Sequence, residues 1–341
     1  MAQGRTDGHD AHEHRGRAEK ARVRVLALVC AWLFAVSSWA DERSALATQL
    51  AHRFALDPGW AEQVLAEARY EPEVIARIQA PYEAKPYHEY RKLFINEALV
   101  REGRRYLRAH RRAFDRAQRR YQVEAPVVAA ILGVETHYGR HQGRFRVLDA
   151  LYTLAVGYPP RSAFFASELG AFLQLAFQER IDPKKVLGSY AGAFGITQFI
   201  PSSYQAYAVD ADGDGARDVW RSHADAIASV ANYFRAHGWR MHRPIVEWLG
   251  AREDLADLDD PTLQRFVPLA EIKPRLGRLR GPWRRDDLVS VIRLPTEAGP
   301  RYALVHKNLY VITRWNRSVN YAMVVAELAG RLGCRACWRA R

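Results

Sequence analysis

The strongest constraint on this chain is the stretch PVVAAILGVETHYGRHQGR, Pro126 to Arg144, where one carboxylate rides on an otherwise apolar helical pattern. Pro126 suits a first helical turn, where its missing N–H costs nothing. Val127, Ile131, Val134 and Tyr138 recur at helical spacing, with Val128, Leu132 and Glu135 on the adjoining stripe. The spacing therefore puts Glu135 on or beside the buried face. Desolvation there disfavours the charged carboxylate, and a carboxyl that keeps its proton near neutral pH is what a general acid needs. The alternative from spacing alone is a helix-edge Glu paired with His137, Arg140 or another base.

With 341 residues, 48% of them hydrophobic, the chain can bury one large core and a smaller one. Its net charge of +13 favours a polyanionic partner: nucleic acid, an anionic membrane, or an acidic wall polymer. The Arg-rich segment 101–120 reads either as a nucleic-acid face or as the solvated side of an amphipathic helix; Leu99, Tyr106 and Phe114 favour the second. Nine Trp and sixteen Tyr exceed what a core requires and supply rings for lining a groove. Cys30 lies in an N-terminal apolar run. Cys334 and Cys337 form a lone CRAC with no second CxxC for zinc, and read as incidental unless an oxidising compartment pairs them.

Residues 1–24 are polar and basic, Val25 to Val36 is a short apolar run, and Ser38-Trp39-Ala40 offers small residues around a cleavage point. That layout predicts a secretory signal peptide over 1–40, too short to span a bilayer comfortably, with a retained anchor as the alternative. Val29 precedes Cys30 where a lipoprotein would carry a small residue, so no lipid anchor is evident. From Asp41 the pattern is helical: 43–54, then Asp57-Pro58 opening a helix to Tyr70, and a short helix after Pro72. Residues 81–90 read as Pro-broken and extended. One long helix is predicted from Leu93 to Tyr121, then the Pro126 helix, and helices over 147–155, 161–178 and 224–237. From Met241 to Lys307 the pattern turns to loops and strands, notably 288–294 and 302–305, with Tyr310 to Thr313 as a further strand before a last helix over 318–332.

Two loops carry more than connectivity. GSYAGAFGITQFIP (188–201) holds three glycines within eight positions, which implies close backbone approach to a ligand or to a neighbouring helix. In VDADGDGARDVWR (209–221), Asp210, Asp212, Asp214, Gly215 and Asp218 fall at positions 1, 3, 5, 6 and 9 of a calcium-loop pattern. Position 12, normally a bidentate carboxylate, is Arg221. A hydrogen-bonded turn that only mimics the loop is an equal alternative.

GVETHYGRHQGRFRVLDALYTLA, YPPRSAFF, GSYAGAFGITQFIPSSY, DGDGARDVW, ADAIASVANYF and YVITRWNRS, in that order, resemble the lytic murein transglycosylase B family, from near Ala66 to Ala329. The resemblance implies a mainly α fold with a small β subdomain (α+β): a lysozyme-like catalytic domain with a helical arm. It places the arm and core over 41–241, an inserted β-containing subdomain over 242–308, a return to the core over 309–332, and a tail over 333–341. The implied reaction is cleavage of the MurNAc-β-1,4-GlcNAc bond of peptidoglycan with formation of a 1,6-anhydro ring. Glu135 of the GVET motif is then the single general acid/base. Ser189, Gln198, Arg161, Tyr233 and Asn316 match substrate-binding positions by motif. Phe199 is a candidate sugar platform. Trp315 replaces the commoner Tyr before Asn316, keeping a stacking face but losing a hydroxyl. No cofactor is implied beyond a structural calcium on Asp210, Asp212, Asp214 and Asp218, weakened by Arg221. The expected setting is an exported, periplasmic monomer acting on peptidoglycan glycan strands, with other cell-wall enzymes as further partners and no role for nucleic acid. The alternatives are a lysozyme-like muramidase using water, which would need a second carboxylate, and a non-catalytic peptidoglycan-binding protein. Asp149 and Glu168 follow Glu135 in the chain, and neither lies in a motif resembling a nucleophile.

Overall fold

A computed structural model of the protein describes residues 41–80 and 85–340. The signal-peptide reading and Cys30 fall outside them. The chain divides into two compact units, 41–68 and 69–340. The first is a helix pair, α1 (41–54) and α2 (Pro58–Ala66). Asp57 caps α2 by accepting from the Trp60 N–H at 2.7 Å, with Pro58 at the first helical position. Arg43 reaches across the pair to the Ala66 carbonyl at 2.9 Å.

The second unit is mainly helical with a small sheet. Its helices are α3 (Pro72–Gln79), α4 (Tyr87–Tyr90), α5 (Glu97–Ala109), α6 (Arg111–Tyr121), α7 (Ala125–Thr136), α8 (Val147–Gly157), α9 (Ser162–Gln178), α10 (Pro201–Tyr207), α11 (His223–Ala236), α12 (Leu269–Leu276), α13 (Lys307–Trp315) and α14 (Val319–Arg331). Helix α7 is the axis. Every residue from Val127 to Val134 is buried, so the helix is apolar all round rather than along one face. Helices α5, α6, α11 and α14 pack around it. Its C-terminus closes through two successive left-handed residues, His137 and Tyr138, and the Tyr138 N–H returns to the Leu132 carbonyl at 3.0 Å. The Tyr138 ring folds back between α5 and α7, its hydroxyl on the Leu99 carbonyl at 3.1 Å. A side chain at Gly103 or Gly133 would meet that ring within 3 Å, which is why both positions are glycine.

The strands are β1 (Phe145–Arg146), β2 (Leu187–Gly188), β3 (Val246–Gly250), β4 (Val267–Pro268), β5 (Leu288–Thr296), β6 (Gly299–His306) and β7 (Trp338–Arg339). β1 and β2 form a minimal antiparallel pair. The other five form one sheet, in the order β4-β5-β6-β3-β7, antiparallel except for the parallel β3–β7 edge. The period-two alternation of β5 and β6 divides cleanly. Val289, Val291, Tyr302 and Leu304 face a small core with Leu249, Leu255, Leu269 and Leu276, whereas Ile292, Leu294, Ala303 and Val305 join the main helical core. Both faces are covered, so these strands read as apolar runs.

Three sequence expectations are corrected, and one left open between two readings, the Cys334–Cys337 pair, is resolved. The helix predicted over 93–121 is two: α5, capped by Asn96 on the Leu99 N–H at 2.9 Å, and α6, with a break at His110. There the imidazole packs on Tyr106 (4.5 Å between ring centres) and on His223 of α11 (4.4 Å), so tertiary contacts decide where the helix bends. Tyr310 to Thr313 is helix α13, not a strand; burial of Leu309, Val311 and Ile312 in the core overrides a β-branched run. Cys334 and Cys337 are joined as a disulfide, and the turn they close sends the tail back as β7. Tyr87 to Tyr90, read as extended, forms the single turn α4.

Candidate active site

Glu135 is the penultimate residue of α7 and is half-buried. Its Oε1 accepts two hydrogen bonds from a distant part of the chain: the Trp315 indole N–H at 3.0 Å and the Tyr321 hydroxyl at 2.5 Å. The donors sit on either side of the α13–α14 turn, and that turn is locked. The Asn316 side-chain oxygen accepts from the Ser318 N–H at 3.0 Å, and the Ser318 hydroxyl caps α14 by accepting from the Tyr321 N–H at 3.2 Å. The Tyr321 hydroxyl titrates well above the usual phenol range, first because it is buried and then because the Glu135 charge opposes a phenolate. It stays a neutral O–H donor.

Trp315 thus supplies an indole N–H to the carboxylate. Its ring is fixed by three others: Phe234 parallel at 5.8 Å, Tyr233 edge-on at 4.8 Å and Phe199 at 5.1 Å. This settles two sequence expectations differently from their first reading. Phe199 is 2% exposed and faces Trp315 and Tyr233, so it cannot serve as a sugar platform; it backs the indole instead. Tyr233 is also buried, its hydroxyl on the Arg314 carbonyl at 2.6 Å, so it braces the end of α13 rather than lining a groove.

The glycine-rich loop is pinned beside the same helix end. The Thr136 hydroxyl donates to the Ile196 carbonyl at 3.0 Å, and the Gln198 amide donates to the Gln142 and Gly195 carbonyls at 3.1 and 3.0 Å. The loop's close approaches are to protein: a side chain at Gly188 would strike the Ala193 carbonyl, and one at Gly195 the Val219 carbonyl. Ser189 accepts from the Ala191 and Ala193 N–H groups, shaping the loop, and lines a cavity of about 450 Å³ with Arg140, His141, Arg144 and Tyr190. His137 follows α7, and its imidazole is held below its usual value first by burial and then by the His141 charge. Arg161 is exposed at the start of α9, its guanidinium 4.2 Å from the Phe164 ring centre.

Asp149 and Glu168 are engaged elsewhere. Asp149 accepts from the Arg69 N–H at 2.9 Å, and Glu168 accepts from the Ser202 N–H and hydroxyl at 3.0 and 2.7 Å. In the Asp loop, oxygens of Asp210, Asp212 and Asp214 lie within 4.8 Å of one another. Asp210 also accepts from the Gly213 and Gly215 N–H groups, and Asp218 from those of Trp220 and Arg221. Ser222 donates to Asp212 at 2.6 Å. The three carboxylates fit the first half of a cation cage; no acid closes it, because buried Asp225 is committed to the Ala211 and Asp218 N–H groups.

Tyr321 was not singled out from sequence. Its only signal there is a hydroxyl-bearing ring three residues after a Ser cap, in an otherwise apolar helix.

The family described as transglycosylase SLT domain matches residues 38–330 of this chain. Membrane-bound lytic murein transglycosylase B of Escherichia coli (strain K12) is 39% identical over 241 residues, covering 70% of this chain and 65% of that protein; the chain spans just under two thirds of that relative. The solved structure of soluble lytic transglycosylase SltB1 from Pseudomonas aeruginosa superposes with a TM-score of 0.77 at 37% identity, covering 85% of this chain and 98% of that one. SltB3 from the same organism, solved in complex with NAG-anhNAM-pentapeptide, gives 0.77 at 32% identity, with 87% and 79% covered. Escherichia coli Slt35 in complex with calcium gives 0.77 at 32%, with 87% and 94% covered.

Proposed function

We propose, for a chain that belongs to the transglycosylase SLT-domain family, that it cleaves the MurNAc-β-1,4-GlcNAc bond of peptidoglycan and leaves a 1,6-anhydro end, with Glu135 as the single acid/base. The supporting observation is a half-buried carboxylate held on one oxygen by two donors, while Asp149 and Glu168 are committed to backbone groups. Trp315 and Tyr321 converge on Oε1 and fix the plane of the carboxyl. In its acid form that carboxyl donates its proton to the bridging oxygen as the C1–O bond breaks, and the substrate's N-acetyl group stabilises the anomeric cation. The carboxylate then takes the proton of the C6 hydroxyl, whose oxygen attacks C1. That nucleophile is already on the ring, so its effective concentration is high and no bound water is needed. The enzyme ends as it began.

The same reading gives Ser189, Gln198, Arg161 and Asn316 to substrate-groove positioning, and supports an exported, periplasmic monomer acting on glycan strands. Among the described residues no helix is long and apolar enough to cross a membrane. The Asp loop takes calcium weakly through Asp210, Asp212 and Asp214, in a structural role only; Arg221→Glu tightens calcium binding by roughly tenfold or more, because it restores the closing carboxylate. Calorimetric titration that finds no gain in the variant removes that part of the reading.

The deciding experiment is mass spectrometry of muropeptides released from purified sacculi. Wild type yields products lighter by one water than hydrolytic ones, and Glu135→Gln lowers their rate by roughly 10²–10⁴-fold, the usual worth of a general acid. Hydrated reducing ends instead would make the protein a muramidase; equal release by both proteins would remove Glu135 from the chemistry.

A further inference from the structure

At the end of α14 remote from Tyr321 lies a second cavity, open to solvent and of about 560 Å³, within the size range of small-molecule sites. Its walls come from α4, the β5–β6 turn, the last turns of α14 and the tail, and include Tyr87, His88, Arg91, Arg301, Arg331 and Trp338. The tail is placed there by construction. The Cys334–Cys337 disulfide turns the chain back, β7 pairs with β3, and Trp338 seats against α14 at Gly330, where any Cβ would meet it at 2.7 Å. Trp338 then lies edge-to-face with Trp248 at 6.0 Å.

The charge in this cavity does not cancel. Glu327, 3% exposed, is shared by two guanidinium groups: it accepts from Arg91 through Nε at 3.1 Å and through Nη2, from Arg331 at 3.1 Å, and also from the Tyr87 hydroxyl at 3.0 Å. Glu297, the other lining acid, is taken by Lys92 at 2.6 Å. Arg301, exposed at the start of β6, has no hydrogen-bond or ion-pair partner among the described residues, and the His88 Nδ1 is buried with no hydrogen-bond partner among them. A structural ion-pair network accounts for Arg91, Arg331 and Glu327. It leaves Arg301 and His88 without a role.

We infer that this cavity is an accessory site for a peptide carboxylate, distinct from the Glu135 groove. The guanidinium fork of Arg301 matches a carboxylate in shape and charge, with Arg91 and Arg331 adding positive charge beside it; His88 supplies a further nitrogen, and the half-buried Trp338 covers the apolar part of the chain. The inference rests on the proposed action on peptidoglycan, whose glycan strands carry acidic peptides; the site then holds the strand by its peptides while the groove works on its sugars.

The test is calorimetric titration of the full chain with the free stem pentapeptide, and with the same peptide as its C-terminal amide. Wild type binds the acid form with 1:1 stoichiometry, and the amide binds at least fivefold more weakly. Arg301→Glu, an exposed substitution that leaves the core intact, weakens binding of the acid at least tenfold, and Arg301→Lys weakens it less. Unchanged binding to Arg301→Glu, or displacement of the peptide by the anhydro-disaccharide, would overturn the site. Anhydro-product chemistry on sacculi by Arg301→Glu is read in parallel: the variant keeps the product and loses binding if both readings hold. A wild type that binds the peptide yet releases no anhydro product sinks the proposed function without touching the site.

Discussion

Glu135 and Tyr321 stand 186 positions apart in the chain and meet through one short hydrogen bond. Glu135 was legible because it interrupts an apolar helical pattern and sits in a recognisable motif. Tyr321 was not, because its meaning comes from where α14 lands against α7, and no local spacing encodes that. The pairing has a consequence for Tyr321→Phe. The variant keeps the ring and its packing and loses one hydrogen bond to an ionisable oxygen, worth about 1.5–3 kcal/mol. We expect kcat on sacculi to fall roughly 10- to 100-fold with KM little changed, since the lost bond acts on the acid rather than on substrate. Steady-state kinetics beside thermal unfolding checks this; a KM change alone would make Tyr321 a groove residue. Trp315 teaches the converse: the sequence offers only its stacking face, and the structure shows its indole N–H on Glu135 Oε1. Phe199 and Tyr233 were read as groove residues because aromatic rings in motif positions do not reveal which ring faces solvent.

At the scale of elements, the misread ones are those in which tertiary burial outweighs local preference. The run Tyr310 to Thr313 is β-branched, yet α13 forms because its start is capped and its apolar side meets the core. The cap is His306, whose Nδ1 accepts from the Asn308 N–H at 3.0 Å. Burial first, then the charges of Arg243 and Arg240, push this imidazole down to about 3 from 6.5. The folded state therefore refuses a proton that the unfolded chain accepts below 6.5. Its contribution to stability is full above pH 6.5 and is lost as pH falls towards 3. Between pH 7.5 and 5.0 this one group should remove about 2 kcal/mol from the unfolding free energy. His306→Asn keeps a capping acceptor without a titrating ring, so the pH dependence of its urea unfolding should be shallower by that amount. Identical slopes for the two proteins would mean that the cap tolerates the proton. Because α13 carries Trp315 to Glu135, a loosened cap should also lower activity at acid pH in wild type more than in the variant.

For the whole molecule, the net charge of +13 was legible at once, but its direction was not: the same number suits nucleic acid, membrane and wall polymer. What narrows it is the family and the distribution of charge. The arginines of α5 and α6 lie largely on solvated faces while Leu99, Tyr106 and Phe114 are buried, as the amphipathic pattern implied, and further cations line both the Ser189 cavity and the cavity beside Trp338. A field of this kind raises the local concentration of an anionic polymer and the rate of encounter, and salt screens it over a distance that shrinks to about 8 Å at physiological ionic strength. In the polymer the negative charge is carried by the peptides and by those lactyl groups that bear none, so a sacculus presents many charges and a short fragment only a few. The rate on intact sacculi should therefore fall roughly tenfold between 50 and 500 mM NaCl, whereas turnover of a short peptide-free glycan, with few charges to attract, should change little, because the proton transfer proposed for Glu135 involves no long-range charge encounter. Equal salt sensitivity on both substrates would place the electrostatic effect at Glu135 itself. Insensitivity on both would mean that the surface charge serves some partner other than the wall polymer.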